Sequence, residues 1–140
     1  MRFGATTLIA ISAATGLAAC ETMQEPAAPV TQSIVALYQR PAERALINGM
    51  RQYEDGAFER AETALRSALS QGLLDPRDTA VANKYLAFLA CAFSRLAECE
   101  QDFRNAFAAD PQFALTDVEV GHPIWGPIYR KVVAARAAPK

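Results

Sequence analysis

The 140-residue sequence predicts an all-α fold of helical hairpin repeats, an α-α superhelix closed by a C-terminal capping helix. Two observations carry this prediction. From Pro41 onward, apolar residues recur at helical spacing, and no strand-like alternation of useful length interrupts them. The pattern of residues 45–71 then returns at a constant offset, which aligns Ala61 with Cys99, as expected of a repeat architecture. We therefore expect a single helical domain over residues 33–138.

The start of the chain, residues 1–19, has the layout of a secretory leader. Arg2 is followed by an uncharged run from Phe3 to Ala19, and Leu17-Ala18-Ala19-Cys20 ends it with small residues and a cysteine. This pattern predicts a bacterial lipoprotein signal peptide over residues 1–19, with Cys20 carrying the covalent lipid. The alternatives are an ordinary secreted protein with a chance cysteine, or a membrane-spanning anchor. The run is short and rich in Ala, Thr and Ser for a span of about 20 apolar residues.

Residues 20–32 are predicted to be a flexible tether, because they contain Pro26 and Pro29 and few large apolar side chains. A lipid on Cys20 places the protein in the cell envelope. Glu21 stands where many inner-membrane lipoproteins carry Asp, which favours the outer membrane, with the domain facing the periplasm. The formal net charge is −1 and no Lys/Arg run exists, which argues against nucleic acid as a partner.

Two repeats are predicted, over about residues 42–72 and 79–111. The first matches the offsets of the tetratricopeptide pattern at Gly49, Gly56, Phe58, Ala61, Leu65 and Ala68. In this pattern Gly49 and Ala61 let two helices approach closely, Phe58 and Leu65 fill the seam, and Asp55-Gly56 forms the turn. In the second copy Cys99, Phe103 and Ala106 take the places of Ala61, Leu65 and Ala68. The usual period is about 34 residues, so we assign the extra ones to a loop over residues 72–78.

Two further helices are expected to cover the ends of the repeats. Ser33–Gln39 (SIVALYQ) favours a short N-terminal helix, and a closing helix is predicted over about residues 127–138, with Pro127 near its start. The alternative to repeats is a generic pair of helical hairpins whose small residues coincide because alanine is abundant.

Cys91 and Cys99 are the cysteines that remain once Cys20 is acylated. An even pair in an oxidising compartment favours a disulfide, which would staple the second hairpin across its turn. The alternative is two buried free thiols, because the register of Cys99 could put the Cα separation beyond the limit of roughly 7 Å.

The first helix of each repeat is expected to line the concave face, where partners bind. The candidate binding residues there are Leu46, Met50, Tyr53, Lys84 and Phe88, which suit a peptide groove. The alternative is that the closing helix or the N-terminal segment covers them as core. Trp125 either seals the core on the second repeat or anchors a partner. His122, the single histidine, is expected to make a structural hydrogen bond.

Several residues of the second repeat and of the segment after it carry a family resemblance. They are Phe88, Cys91, Cys99, Phe103, Asp110-Pro111-Gln112-Phe113 and Gly121-His122-Pro123-Ile124-Trp125-Gly126-Pro127. With the Cys20 motif, this combination resembles the TssQ family of lipoproteins associated with type VI secretion, over about Ala45 to Val132. The resemblance implies a tetratricopeptide-repeat lipoprotein accessory to a contractile secretion machine, acting through a protein partner.

No catalytic residue accompanies this resemblance, and we expect neither an enzyme nor a metal, cofactor or small-molecule substrate beyond the lipid. The rival interpretation is a general repeat lipoprotein of another envelope machine, either pilotin-like or an outer-membrane assembly factor. An envelope enzyme is a third class, and it lacks a nucleophile–base or metal-ligand cluster in the sequence.

Overall fold

A computed structural model describes residues 39–138, and this part of the chain contains helices and no strands. In chain order they are α1 Pro41–Glu54, α2 Phe58–Gln71, α3 Pro76–Ala92, α4 Leu96–Ala109, α5 Asp117–Val120 and α6 Gly126–Ala137. The predicted signal peptide, Cys20, the tether and all but Gln39 of the predicted N-terminal helix lie outside the described residues. No helix between residues 39 and 138 has the length and apolar character needed to cross a bilayer.

The four long helices at the start of the domain form two packed hairpins, α1 with α2 and α3 with α4. In the first, Ala61 and Leu65 are fully buried and pack with Leu46. A Cβ atom at Gly49 would lie 2.7 Å from the Cγ atom of Leu65, so only glycine fits at this crossing. The predicted close approach is therefore present, with the Leu65 side chain lying against the glycine backbone.

The turns of the two hairpins have the same backbone geometry at equivalent positions of the two repeats. Gly56 has φ +72° and Ser94 has φ +60°, so both turns use the left-handed conformation. The hydrogen bond from Ala57 N to Gln52 O (2.8 Å) is matched by one from Arg95 N to Ala90 O (2.7 Å). These matching turns show that the sequence period corresponds to a repeated structural unit.

Helix α3 begins earlier than predicted. We expected a loop over residues 72–78, but the loop ends at Asp75 and helix begins at Pro76. The Asp75 side chain accepts a hydrogen bond from Arg77 N at 2.9 Å, and proline suits the first turn of a helix. Most of the extra length of the second repeat therefore lies in α3, which has 17 residues against 14 in α1, the equivalent helix of the first repeat.

Phe58 does not fill the seam of the first hairpin as predicted. It is 37% exposed and lies at the turn end of the molecule, where its ring meets Tyr53 at 5.8 Å and Phe93 at 6.0 Å between centroids. The seam is already filled by Leu65 against Gly49, which leaves Phe58 at the edge.

Ion pairs join the two hairpins along α2 and α4. Arg95 Nη2 lies 2.7 Å from a Glu62 carboxylate oxygen, and Arg66 Nη2 lies 3.6 Å from Glu98. The hydrogen bonds from Arg95, the largest cause, and from Arg66 lower the pKa of Glu62 to about 2, against the effect of burial. The second hairpin is thus held on the first by paired charges as well as by apolar contacts.

The closing helix α6 packs against α4, within two residues of the predicted boundaries at either end. Tyr129 and Val132 are buried in the core of the second hairpin with Phe103 and Phe107. The hydroxyl of Tyr129 accepts a hydrogen bond from Leu115 N at 3.2 Å. This hydrogen bond holds the segment after α4, at Leu115, against the closing helix α6.

A candidate partner-binding face

Of the predicted binding residues, Met50, Tyr53, Lys84 and Phe88 lie on helices α1 and α3, which contact each other. Tyr53 and Phe88 rings are 6.4 Å apart between centroids, and the Trp125 ring is stacked on Phe88 at 4.2 Å. Lys84 Nζ lies 5.6 Å from the centre of the Phe88 ring. The structure therefore brings Tyr53, Lys84, Phe88 and Trp125 together, with Met50 farther along α1.

Leu46 and Phe88 belong to the core instead of an open groove. Their exposed fractions are 5% and 3%, because Leu46 packs among the helices of the first hairpin and Trp125 covers Phe88. Neither side chain is exposed to a partner in this arrangement. The sequence left open that the closing helix or the N-terminal segment covers these residues; Phe88 is covered by Trp125, the residue just before the closing helix.

The α3 half of the face is occupied by residues 116–125 of the same chain. Lys84 Nζ lies 2.8 Å from Glu119 Oε1, and both side chains are more than three quarters buried. Burial raises the pKa of Glu119, but hydrogen bonds from Lys84 and from Thr116 outweigh it and leave the pKa below its ordinary value. Thr116 and Glu119 also form a reciprocal cap at the start of α5. The short helix α5 therefore pairs the carboxylate of Glu119 with Lys84, the single lysine of α3.

Trp125 fixes the rest of the segment to the second hairpin. Its ring is half-buried, and Nε1 donates a hydrogen bond to Glu119 O at 2.9 Å. The His122 ring is stacked against that of Trp125, with 2° between the planes, and His122 Nδ1 accepts a hydrogen bond from Ile124 N at 3.3 Å. These contacts hold both side chains against their own domain, and the hydrogen bond of His122 is of the kind expected from the sequence.

The α1 half of the face is open in the described part of the chain. Ile47, Met50, Arg51 and Glu54 line a shallow hollow of about 250 Å³, and Ile47 is 43% exposed. The neighbouring Tyr53 is half-buried, and burial raises its pKa, with Tyr85 and Glu119 adding to the rise. Ile47 is not among the residues predicted from the sequence, although it lies one helical turn before Met50 and Arg51 and so shares their face.

The cysteine pair lies behind this face, between α3 and α4. The Sγ atoms of Cys91 and Cys99 are at disulfide distance, 2.02 Å, and the Cα atoms are 5.2 Å apart. This Cα separation removes the geometric objection raised by the sequence, since bridged cysteines span about 4.4–6.8 Å. Both residues are buried among the aromatic rings of the second hairpin. Among residues 39–138 no three His, Cys, Asp or Glu side chains are grouped to hold a metal ion.

Comparisons with known proteins add no relative. No protein-family model matches the chain, and neither a curated protein nor a solved structure matches it significantly. Functional interpretation therefore depends on the sequence motifs and on the geometry of this face.

Proposed function

We propose that this chain is a lipid-anchored, tetratricopeptide-like adaptor that docks a protein partner at the bacterial envelope, as an accessory to type VI secretion. Acylation of Cys20 would hold the domain at the membrane, and the tether of residues 20–32 would let it reach its partner. The apolar α1 half of the concave face would receive the partner, while the C-terminal segment keeps the α3 half closed.

The observation that carries the proposal is the partly open face on α1. Ile47 and Met50 offer apolar surface with the charged Arg51 and Glu54 next to it along α1, and Tyr53 packs on the same apolar cluster as Met50. A half-open apolar strip with charged borders suits an extended or helical segment of another protein. The lipobox at Leu17–Cys20 and the family resemblance favour a partner at the envelope.

In-cell photo-crosslinking tests the proposal directly. A photoreactive amino acid at Ile47 should give an adduct with a component of the secretion apparatus, identified by mass spectrometry. The matched control is Leu74, an exposed apolar residue of the α2–α3 loop, which should give no such adduct. Equal labelling from both positions, or an adduct at Ile47 with unrelated abundant proteins only, would contradict the proposal.

A further inference from the structure

The repeat positions that line an open groove on the first hairpin are partly covered on the second hairpin within residues 39–138. On the second hairpin the corresponding positions include Leu86 and Ala90, which are 3% and 1% exposed; Leu86 packs in the apolar cluster shared with the first hairpin, and Ala90 in the cluster of the second. Helix α2 packs against α3, and its Leu69 packs on the same apolar cluster as Leu86. The groove of the second hairpin is therefore a helix-docking site occupied within the chain.

The corresponding groove of the first hairpin is open in the described part of the chain and has a volume of about 390 Å³. Its lining residues stand at the same repeat positions as those of the filled groove. Asn48 takes the place of Leu86, Gln52 that of Ala90, and Arg60 that of Glu98. A repeat buries such a face by stacking a neighbouring helix on it. The open groove thus uses the same repeat positions as the filled one, with a different polar lining.

Two features of this lining indicate what it accepts. The Oε1 atom of Gln52 is buried and accepts no hydrogen bond from the described residues, so it requires a donor. In the filled groove, Glu98 faces Arg66 of α2 at 3.6 Å. At the equivalent place the open groove has Arg60, which forms no ion pair with any residue between 39 and 138. This position is therefore positively charged in the open groove and negatively charged in the filled groove.

We propose that the groove between α1 and α2 docks an α-helix of the partner protein, positioned as α2 is positioned on the second hairpin. This helix places a carboxylate opposite Arg60, where α2 places Arg66 opposite Glu98, and presents a hydrogen-bond donor to Gln52. Small side chains at the crossing suit a groove bordered by Ala45, Thr63 and Ser67. The inference rests on the proposed adaptor function and names the chemistry of the partner segment.

A copy of α2 provides the probe. A labelled peptide with the sequence Phe58–Gln71 and the change Arg66→Glu is held helical by a lactam bridge on the face away from positions 62 and 66. Its binding to the mature chain carrying Cys20→Ser is followed by fluorescence anisotropy. We expect it to bind at least 10-fold tighter than the unaltered peptide, and Arg60→Glu in the protein should reverse this preference. Thr63→Trp, which fills the groove, should abolish binding, whereas Val118→Trp on the exposed face of α5 should not.

Other occupants give different results. Equal affinity of the two peptides, or insensitivity to Arg60→Glu, would overturn the proposal. Binding that appears only after deletion of residues 21–38 would assign the groove to the chain's own N-terminal segment. A dimer of the full chain that Arg60→Glu dissociates would assign it to a second copy. Because crosslinking at Ile47 concerns a different face, an adduct there without peptide binding would reject this inference and leave the adaptor function standing.

Discussion

Gly126→Ala tests how the C-terminal segment is held on the second hairpin. Gly126 begins α6, and its backbone lies directly against the carbonyl of Val120 at the end of α5. A methyl group there would overlap Val120 O and would also lie 3.2 Å from the Arg130 guanidinium that donates to the same oxygen. Because the obstacle is backbone, relief requires moving α5 away from α6. Gly121→Ala is the matched control, since its added carbon would meet its nearest atoms at an ordinary 3.5 Å.

The expected cost follows from two opposing effects. Overpacking against backbone costs about 1–3 kcal/mol, and the better helix propensity of alanine returns up to about 1 kcal/mol. We expect Gly126→Ala to lower the free energy of unfolding by about 1–2 kcal/mol, or Tm by about 5–10 °C, with Gly121→Ala close to wild type. Urea unfolding followed by the fluorescence of Trp125, the single tryptophan, measures both stability and docking. Equal stability of the two variants, with unchanged emission, would refute the described contact between α5 and α6.

Three further predictions concern the core and the charges behind it. A disulfide between Cys91 and Cys99 should make the mature domain produced in the periplasm two hydrogens lighter by mass spectrometry without reductant than with it. Quantitative alkylation of both thiols without reductant would contradict the disulfide. Trp125→Ala should lower the free energy of unfolding by about 2–3 kcal/mol, which is less than the roughly 3–5 kcal/mol of a fully buried aromatic, because the ring is half-exposed. A wild-type melt with weakened partner binding would make it a recognition residue. Burial, helped by nearby Glu98, raises the pKa of the Asp102 carboxyl to about 6 from 3.8, although Arg66 opposes the shift. Because the folded state holds the proton of Asp102 more tightly than the unfolded state, the contribution of this group to the free energy of unfolding is fully present below pH 3.8 and is lost as the pH rises through about 6. Asp102→Asn should therefore stabilise the domain by about 1–2 kcal/mol at neutral pH, a figure reduced for solvent screening of the exposed part of the side chain. At acidic pH, below the ordinary pKa of Asp, it should have little effect. Urea unfolding at the two pH values checks this, and an equal effect at both would contradict it.

The hairpins could be predicted from the sequence because their packing depends on residue size at fixed offsets. Gly49 and Ala61 stand where two helices come closest, and no larger residue fits at Gly49. The left-handed turn at Gly56 was equally visible, since glycine adopts positive φ without strain. The same position in the second hairpin is Ser94, and a serine in the sequence does not predict a positive φ.

The arrangement of the candidate face could not be predicted, because it depends on contacts between distant parts of the chain. Lys84 and Glu119 are 35 residues apart, and their pairing follows from the direction in which residues 110–116 leave α4. From the sequence alone, Phe88 suits either an open groove or the core. The structure places it in the core, because the Trp125 ring is stacked on it. The start of α3 depends on a local competition, in which the Asp75 cap and Pro76 favour helix over loop.

The central claim, that lipid on Cys20 brings an adaptor and its partner to the membrane, is tested most directly by fractionating cells after crosslinking from Ile47. With wild-type Cys20, we expect the adduct in the membrane fraction. With Cys20→Ser, the folded domain should form the same adduct in the soluble periplasmic fraction, because the tether separates anchoring from folding. A Cys20→Ser protein that still sediments wholly with membranes, or the absence of a partner adduct in both strains, would contradict the account.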